Sequence, residues 1–155
     1  MSADFSRRFR FHAWATDRLA NALPDGGAGA ARVPLAHALV ADRVWLHRLE
    51  GISTDGVDLW PDLDVRACRA LARRNADDYA AYLRQLGDAG EPVRYTNSTG
   101  TAFETPVRDV LDHVLLHAAH HRGQTSAALR RAGIPPPPVD FIAWVRAGEP
   151  ADEAG

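Results

Sequence analysis

The sequence predicts an all-α protein built as a four-helix bundle. Apolar residues recur at three- and four-residue steps through four long segments, and the links between these segments are short. A chain of 155 residues is long enough for one domain with its own core, and no internal repeat is visible. We therefore expect a single bundle domain over residues 1–148, followed by a flexible tail over residues 149–155.

The first helix is predicted over residues 3–23, where the Pro-Asp-Gly-Gly segment at 24–27 ends it. The second helix is predicted to start close to Pro34, because a proline in the first turn loses no hydrogen bond, and to end at Gly51. Apolar side chains occupy two opposite faces of this second segment. Such a helix is expected to be enclosed by neighbours on both sides.

A polar connection over residues 51–63 leads to the third helix, which the apolar period places at about 64–86. Residues 91–105 differ, because apolar residues flank a turn-forming Asn-Ser-Thr-Gly segment. This pattern predicts a two-stranded β-hairpin before the last long helix.

The fourth helix is predicted to begin near Thr105-Pro106, with the threonine as its cap, and to end at Gly133. Four consecutive prolines at 135–138 must be extended. The apolar pattern of residues 139–146 then predicts one or two last helical turns that pack on the bundle.

Composition and charge exclude several classes of function. The net charge is -2, and no basic stripe or nucleic-acid-reading motif is present, so a nucleic-acid partner is not expected. No apolar stretch approaches the length of a membrane span, and the N-terminal residues do not resemble a signal peptide. The single cysteine, Cys68, lies on the apolar stripe of the third helix, where a buried apolar role is favoured over a nucleophile. We expect a cytoplasmic protein.

The histidines point to a metal centre. Four of the seven lie within nine residues of the predicted fourth helix, at His113, His117, His120 and His121. The helical period places His117 and His121 together on the core stripe and the other two at its edges. A structural polar pair is one interpretation. The other is a metal site, because a shared cation satisfies two inward imidazoles that are buried side by side.

A third ligand must come from another helix. His37 is the best candidate, because it lies on an otherwise apolar face of the second helix, and His12 of the first helix is the alternative. His47 lies on a more mixed face and is expected to point outward. Three nitrogen ligands and an open position suit Zn²⁺ or Ni²⁺.

Several segments together resemble the DinB-like family of damage-inducible bacterial proteins. They are A-W-A-T-D-R-L at 13–19, L-A-H-A-L-V-A-D-R-V-W-L-H-R-L at 35–49, H-V-L-L-H-A-A-H-H-R-G-Q at 113–124 and G-I-P-P-P-P-V-D-F-I-A-W-V-R at 133–146. The resemblance implies an up-down-down-up bundle and a divalent metal held by His37, His117 and His121. Some members of that family are transferases and isomerases that use a low-molecular-weight thiol, and members are often homodimers.

Two hypotheses of function follow from the predicted site. One is a metal-dependent enzyme acting on a small molecule, by thiol transfer or by hydrolysis, with zinc or nickel and a low-molecular-weight thiol as cosubstrate. The other is a non-catalytic metal-binding protein of a stress response. Trp14, Trp45 and Trp144 would serve a homodimer interface if exposed, although Trp14 is better explained as core.

Three residues near the predicted ligands have open roles. Asp42 lies on an apolar stripe, where it either pairs with an arginine or acts as a general base, and pairing is favoured. Gly123, inside the fourth helix, suggests a close helix approach. Gln124 either orients a metal ligand or is a partly buried amide.

Overall fold

The computed structural model describes residues 2–26, 29–97 and 99–151 of the chain. Gly27 and Ser98, which the sequence analysis assigns to turns, and residues 152–155 of the predicted tail lie outside these ranges. The elements are α1 (Ser2–Ala22), α2 (Gly29–Leu49), α3 (Val65–Gln85), β1 (Pro92–Thr96), β2 (Ala102–Pro106), α4 (Val107–Arg131) and α5 (Phe141–Arg146). The predicted all-α fold with a hairpin before the last long helix is confirmed.

Two clusters of buried apolar residues at opposite ends of the bundle fix the direction of the helices. One cluster joins Leu19, Leu35, Val65 and Leu129, and the other joins Phe5, Leu46, Leu83 and Leu111. Helices α1 and α4 therefore run from the second cluster to the first, whereas α2 and α3 run the opposite way. This arrangement is the up-down-down-up order that the resemblance implies.

Helix α2 is buried on two faces because it packs against both α3 and α4. Leu35 and Leu39 are fully buried on one face, and Ala41 and Val44 are buried on the opposite face. The prediction of an enclosed second helix is therefore confirmed. The consequence for function is that a polar side chain on α2, such as His37, must find its partners inside the protein.

Helix α2 starts earlier than predicted. It begins at Gly29, so Pro34 lies inside the helix and not in its first turn. The extra turn places Ala31 in the buried apolar cluster that contains Leu35, although proline at position 34 cannot donate the backbone hydrogen bond of a helix interior.

The two later helices begin differently. The Asp64 carboxylate accepts a hydrogen bond from the Ala67 amide at 2.7 Å, a cap that stabilises α3 by about 1 kcal/mol. Thr105 does not cap α4 as predicted, because it belongs to strand β2. The first amides of α4 donate instead to backbone carbonyls of Ala89 and Glu91, which precede the hairpin.

The C-terminal segment returns to the bundle. Trp144 of α5 is fully buried, and its indole N–H donates to the Pro150 carbonyl at 2.9 Å. The Glu149 carboxylate accepts from Arg7 Nε of α1 at 2.9 Å. These contacts extend the packed structure to residue 150, while the domain boundary at 148 stays a prediction. None of the helices in the described ranges has the length and apolar character required to cross a membrane.

Candidate metal centre

Three histidines from two helices meet where α2 packs against α4. His117 and His121 are one turn apart on α4, and His37 projects from α2. The Nε2 atom of His117 lies 3.3 Å from Nε2 of His37 and 3.2 Å from Nε2 of His121. One ligand nitrogen from each ring lies within 4.8 Å of the other two. His117 and His121, which the helical period predicts to face inward, therefore lie next to His37, the favoured third ligand.

Hydrogen bonds to oxygen fix the tautomers of two of the rings. His37 Nδ1 lies 2.6 Å from the Leu59 carbonyl oxygen, and His121 Nδ1 lies 2.8 Å from Gln124 Oε1. Because these oxygens accept, each Nδ1 carries the proton and donates it. The Nε2 atoms of His37 and His121 therefore present lone pairs toward the third ring.

The third ring, that of His117, is held neutral by its surroundings. Burial lowers its pKa to about 4, and the neighbouring His121 and His37 rings act in the same direction. Burial also lowers the pKa of His121, opposed by its hydrogen bond to Gln124. Both rings are therefore unprotonated near neutral pH, which is the state that a metal requires.

A divalent cation fits this arrangement of nitrogens. Without a cation, His117 Nε2 carries at most one proton, while the Nε2 lone pairs of both His37 and His121 point toward it. The buried Nδ1 of His117 also has no hydrogen-bond partner. Two nitrogens bound to zinc at tetrahedral angles are about 3.3 Å apart, as follows from Zn–N bonds of about 2.0–2.1 Å. The measured separations of 3.2 and 3.3 Å match that value. The three histidines are positioned to bind a metal ion.

The link between α2 and α3 completes the site, a contribution that the sequence did not predict. The Leu59 carbonyl holds His37, and the Trp60 indole stacks on the His37 ring with centroids 3.7 Å apart and planes 9° apart. Trp60 is 58% exposed, so it covers the histidine on its solvent side. A large aromatic residue followed by proline in an otherwise polar link was the available signal.

The remaining histidines lie outside the ligand group. His113 stacks beside His117 with ring centroids 5.5 Å apart, and His120 contacts the amide nitrogen of Gln124. His47 is half-buried on α2. Gln124 thus orients His121, which is one of the two roles considered for it.

His12, the alternative third ligand, belongs to a different buried cluster. Its Nε2 lies 3.0 Å from Asp42 Oδ2, and its Nδ1 lies 2.8 Å from Arg122 Nη1. Arginine only donates, so Arg122 donates to Nδ1, and His12 Nε2 donates to the carboxylate. Asp42 is therefore paired, but its direct partner is His12, with Arg122 on the far side of that ring, and not the arginine that was predicted. Burial lowers the pKa of Arg122 to about 10, opposed by Asp42.

Two further expectations near the site have different outcomes. Cys68 is fully buried, and burial raises its pKa to about 11, so the thiol is an apolar core group as predicted. Gly123 does not mark a close helix approach, because a Cβ built there would meet nothing within 4 Å. That expectation is wrong because α4 exposes Gly123 on the side away from its packed face.

Comparison with known proteins supports the resemblance seen in the sequence. The profile described as DinB family matches residues 2–152, which is nearly the whole chain. The chain belongs to the DinB family. Protein DinB of Bacillus subtilis (strain 168) is 27% identical over 115 residues, which cover 69% of this chain and 67% of that protein. The three residues that the DinB resemblance implies as ligands are the three that the fold brings together.

Proposed function

We propose that this DinB-family protein is a metal-dependent enzyme that binds zinc or nickel and transfers a low-molecular-weight thiol to an electrophilic small molecule. The observation that carries the proposal is the grouping of His37, His117 and His121. The Nε2 atom of His117 lies 3.3 Å from that of His37 and 3.2 Å from that of His121, and one ligand nitrogen from each ring lies within 4.8 Å of the other two. The described residues offer three ligands and no fourth. Such a site leaves a position for a substrate atom, which distinguishes catalytic from closed structural sites.

A divalent cation bound there would lower the pKa of a thiol or a water molecule at the open position toward neutrality. In the transfer, a bond forms between sulfur and the electrophilic carbon, and the bond to the leaving group breaks. The thiol proton departs with that group. Hydrolysis is the second reaction type, with water in place of the thiol. The thiol is favoured because the DinB resemblance implies it for some members of that family.

The protein's own residues would supply the positioning. Leu59 and Gln124 fix the tautomers of His37 and His121, so no proton has to be moved before a metal binds. Trp60 covers one side of His37 and excludes water from it. Its exposed outer surface offers an apolar contact for an electrophile.

A non-catalytic role is the alternative, and one observation favours it. The three histidines join α2 to α4, so a bound ion would cross-link two helices and stabilise the bundle. In that case metal would raise the melting temperature without any turnover.

The deciding experiment uses zinc- or nickel-loaded protein with monochlorobimane and a panel of thiols. The proposal expects a fluorescence increase that requires both metal and thiol and that His117→Ala abolishes. His47→Ala is the matched control, because it removes a half-buried histidine of α2 that lies outside the ligand group. Absence of turnover across the panel, with a metal-dependent rise in melting temperature, would favour the non-catalytic alternative.

We also propose a homodimer that works in the cytoplasm with a small-molecule substrate. Family resemblance supports the first statement, and the single reduced, buried cysteine supports the second. Trp14 and Trp144 are buried within one chain, so the interface must use other residues. Light scattering after size-exclusion chromatography should give twice the chain mass of 16.9 kDa. A single-chain mass at micromolar concentration would contradict the dimer.

A further inference from the structure

Arg48, near the C-terminal end of α2, lacks an acidic partner. Within the described residues it has no hydrogen bond or ion pair, and its Nε atom is buried without a partner. Arg43, five residues earlier on the same helix, pairs with Asp78 at 2.6 Å. A buried Nε–H group without an acceptor costs free energy, which an anion bound at this guanidinium would recover.

Two aromatic rings hold the Arg48 guanidinium in place. Its central carbon lies 4.6 Å from the Trp45 ring centroid and 5.1 Å from that of Tyr95 on strand β1. Stacking of this kind occupies the face of the guanidinium and leaves the in-plane N–H groups for an acceptor. The arginine is thus ordered in advance for a planar anion such as a carboxylate.

Arg48 lines a cavity of about 420 Å³ between α2, the α2–α3 link and the hairpin. Leu59, whose carbonyl holds the metal-site residue His37, forms part of the same wall. The link also brings the exposed acidic residues Asp55 and Asp58 to this cavity, and neither pairs with Arg48. A cation on one wall and carboxylates on another suit a zwitterionic group.

A row of rings connects Arg48 with the metal centre. Trp45 contacts His113 with centroids 5.0 Å apart, and His113 stacks on His117 at 5.5 Å. His37 and Arg48 are eleven residues apart on α2, about 16 Å along the helix axis. Both side chains lean toward the helix N-terminus, and the longer arginine reaches further back, which leaves a span on the order of 10–15 Å. That span exceeds a molecule of cysteine size and fits a thiol of tripeptide size.

We propose that Arg48 binds the carboxylate of an amino-acid group carried by the thiol cosubstrate, with the ammonium group of that ligand beside Asp55 and Asp58. This inference deepens the proposed function and rests on it for the placement of the sulfur at the three-histidine site. It makes Arg48 a specificity-determining residue: thiols with a distant zwitterionic end are selected over neutral thiols.

The test titrates cobalt-loaded protein with glutathione, S-methylglutathione and glutathione diethyl ester. Affinity is followed by calorimetry and by the Arg48 Nε–H resonance, and sulfur binding is followed by the thiolate-to-cobalt absorption band. Glutathione and S-methylglutathione should bind more tightly than the diester, in which both carboxylates are blocked. Arg48→Gln should lower the affinity for glutathione and S-methylglutathione by about 10- to 100-fold, as expected for loss of a charge-assisted hydrogen bond. The affinity for the diethyl ester should not change.

Two variants control for charge and folding. Arg48→Lys keeps the charge without the planar fork and should retain part of the affinity. Arg130→Gln removes the same charge from the exposed end of α4, away from this cavity, and should change nothing. The inference is overturned if glutathione and its diethyl ester bind equally well, or if neither binds detectably. It is also overturned if glutathione does not shift the Arg48 Nε–H resonance. Absence of the cobalt band with an intact Arg48 effect overturns instead the thiol function.

Discussion

On the α2–α4 face three imidazole Nε2 atoms face one another, whereas in the core His12 lies between the carboxylate of Asp42 and the guanidinium of Arg122. Both clusters bury histidine. In the core each ring nitrogen of His12 has a protein partner of complementary polarity. At the α2–α4 face, the Nε2 lone pairs of His37 and His121 both point at His117 Nε2, which can donate a proton to only one of them. The partners of the ring nitrogens, and not histidine burial alone, distinguish a candidate metal centre from a structural network.

The core cluster should matter most for folding. Arg122→Met removes the guanidinium charge that interacts with the buried Asp42 carboxylate, whose Oδ1 is already unpartnered. We expect the free energy of unfolding to fall by about 3–5 kcal/mol, measured by urea denaturation of metal-free protein. The folded fraction should still bind one metal ion per chain.

A double variant gives the control for that prediction. Combining Arg122→Met with Asp42→Asn removes the orphaned charge, so most of the lost stability should return. The core cluster would not be a coupled network if the losses in free energy of unfolding from Arg122→Met and Asp42→Asn simply added in the double variant. A loss below about 1 kcal/mol for Arg122→Met alone would lead to the same conclusion.

The face cluster should matter most for metal. His117→Ala or His121→Ala removes one of three ligands, and we expect metal affinity to fall by more than about 100-fold, beyond the effect of losing an outer partner. Dialysis followed by elemental analysis measures the effect. His12→Ala offers the direct comparison: a folded His12→Ala sample should keep its metal, and loss of metal from it would contradict the separation of the two clusters.

The partners that orient the ligands should have a smaller effect. Gln124→Ala frees the tautomer of His121, and we expect metal affinity to fall by about 10- to 100-fold while the stoichiometry stays at one. The control is Arg130→Ala, an exposed change near the end of the same helix. Competition with a chromophoric chelator gives both affinities. Equal values for the two variants would assign Gln124 no orienting role.

The smallest effect concerns pH. The pKa of His117 is lowered to about 4 in the folded protein, so the unfolded chain takes up a proton first as the pH falls below about 6.5. Metal-free protein should therefore lose stability between pH 6.5 and about 4, by about 1 kcal/mol from this half-buried ring after solvent screening. Denaturation at several pH values measures the slope, and His117→Gln should flatten it. An unchanged slope in that variant would contradict the assignment.

The sequence predicted those parts of the molecule that depend on helical period. Four apolar stripes specify the bundle, and the same period turned His117 and His121 inward, since a helix repeats every 3.6 residues. His37 followed from its position on an apolar face of a helix that had to be enclosed. These inferences need only local spacing and the burial of apolar surface.

The rest depends on contacts that spacing does not encode. Leu59 and Trp60 reach His37 from an irregular link whose path no period specifies. His12, Asp42 and Arg122 lie on three different helices, so their contacts depend on how α1, α2 and α4 pack together. Helical period alone therefore leaves His12 as a possible ligand. The early start of α2 likewise differs from the local signal of Pro34, because the turn before the proline packs Ala31 into a cluster formed by other helices.

Anomalous diffraction at the metal absorption edge, from crystals of protein purified without a nickel column, tests the central claim most directly. We predict one anomalous peak per chain, about 2.0–2.1 Å from the Nε2 atoms of His37, His117 and His121. A peak at His12 and Asp42, or no metal in protein given zinc or nickel in excess, would contradict the account.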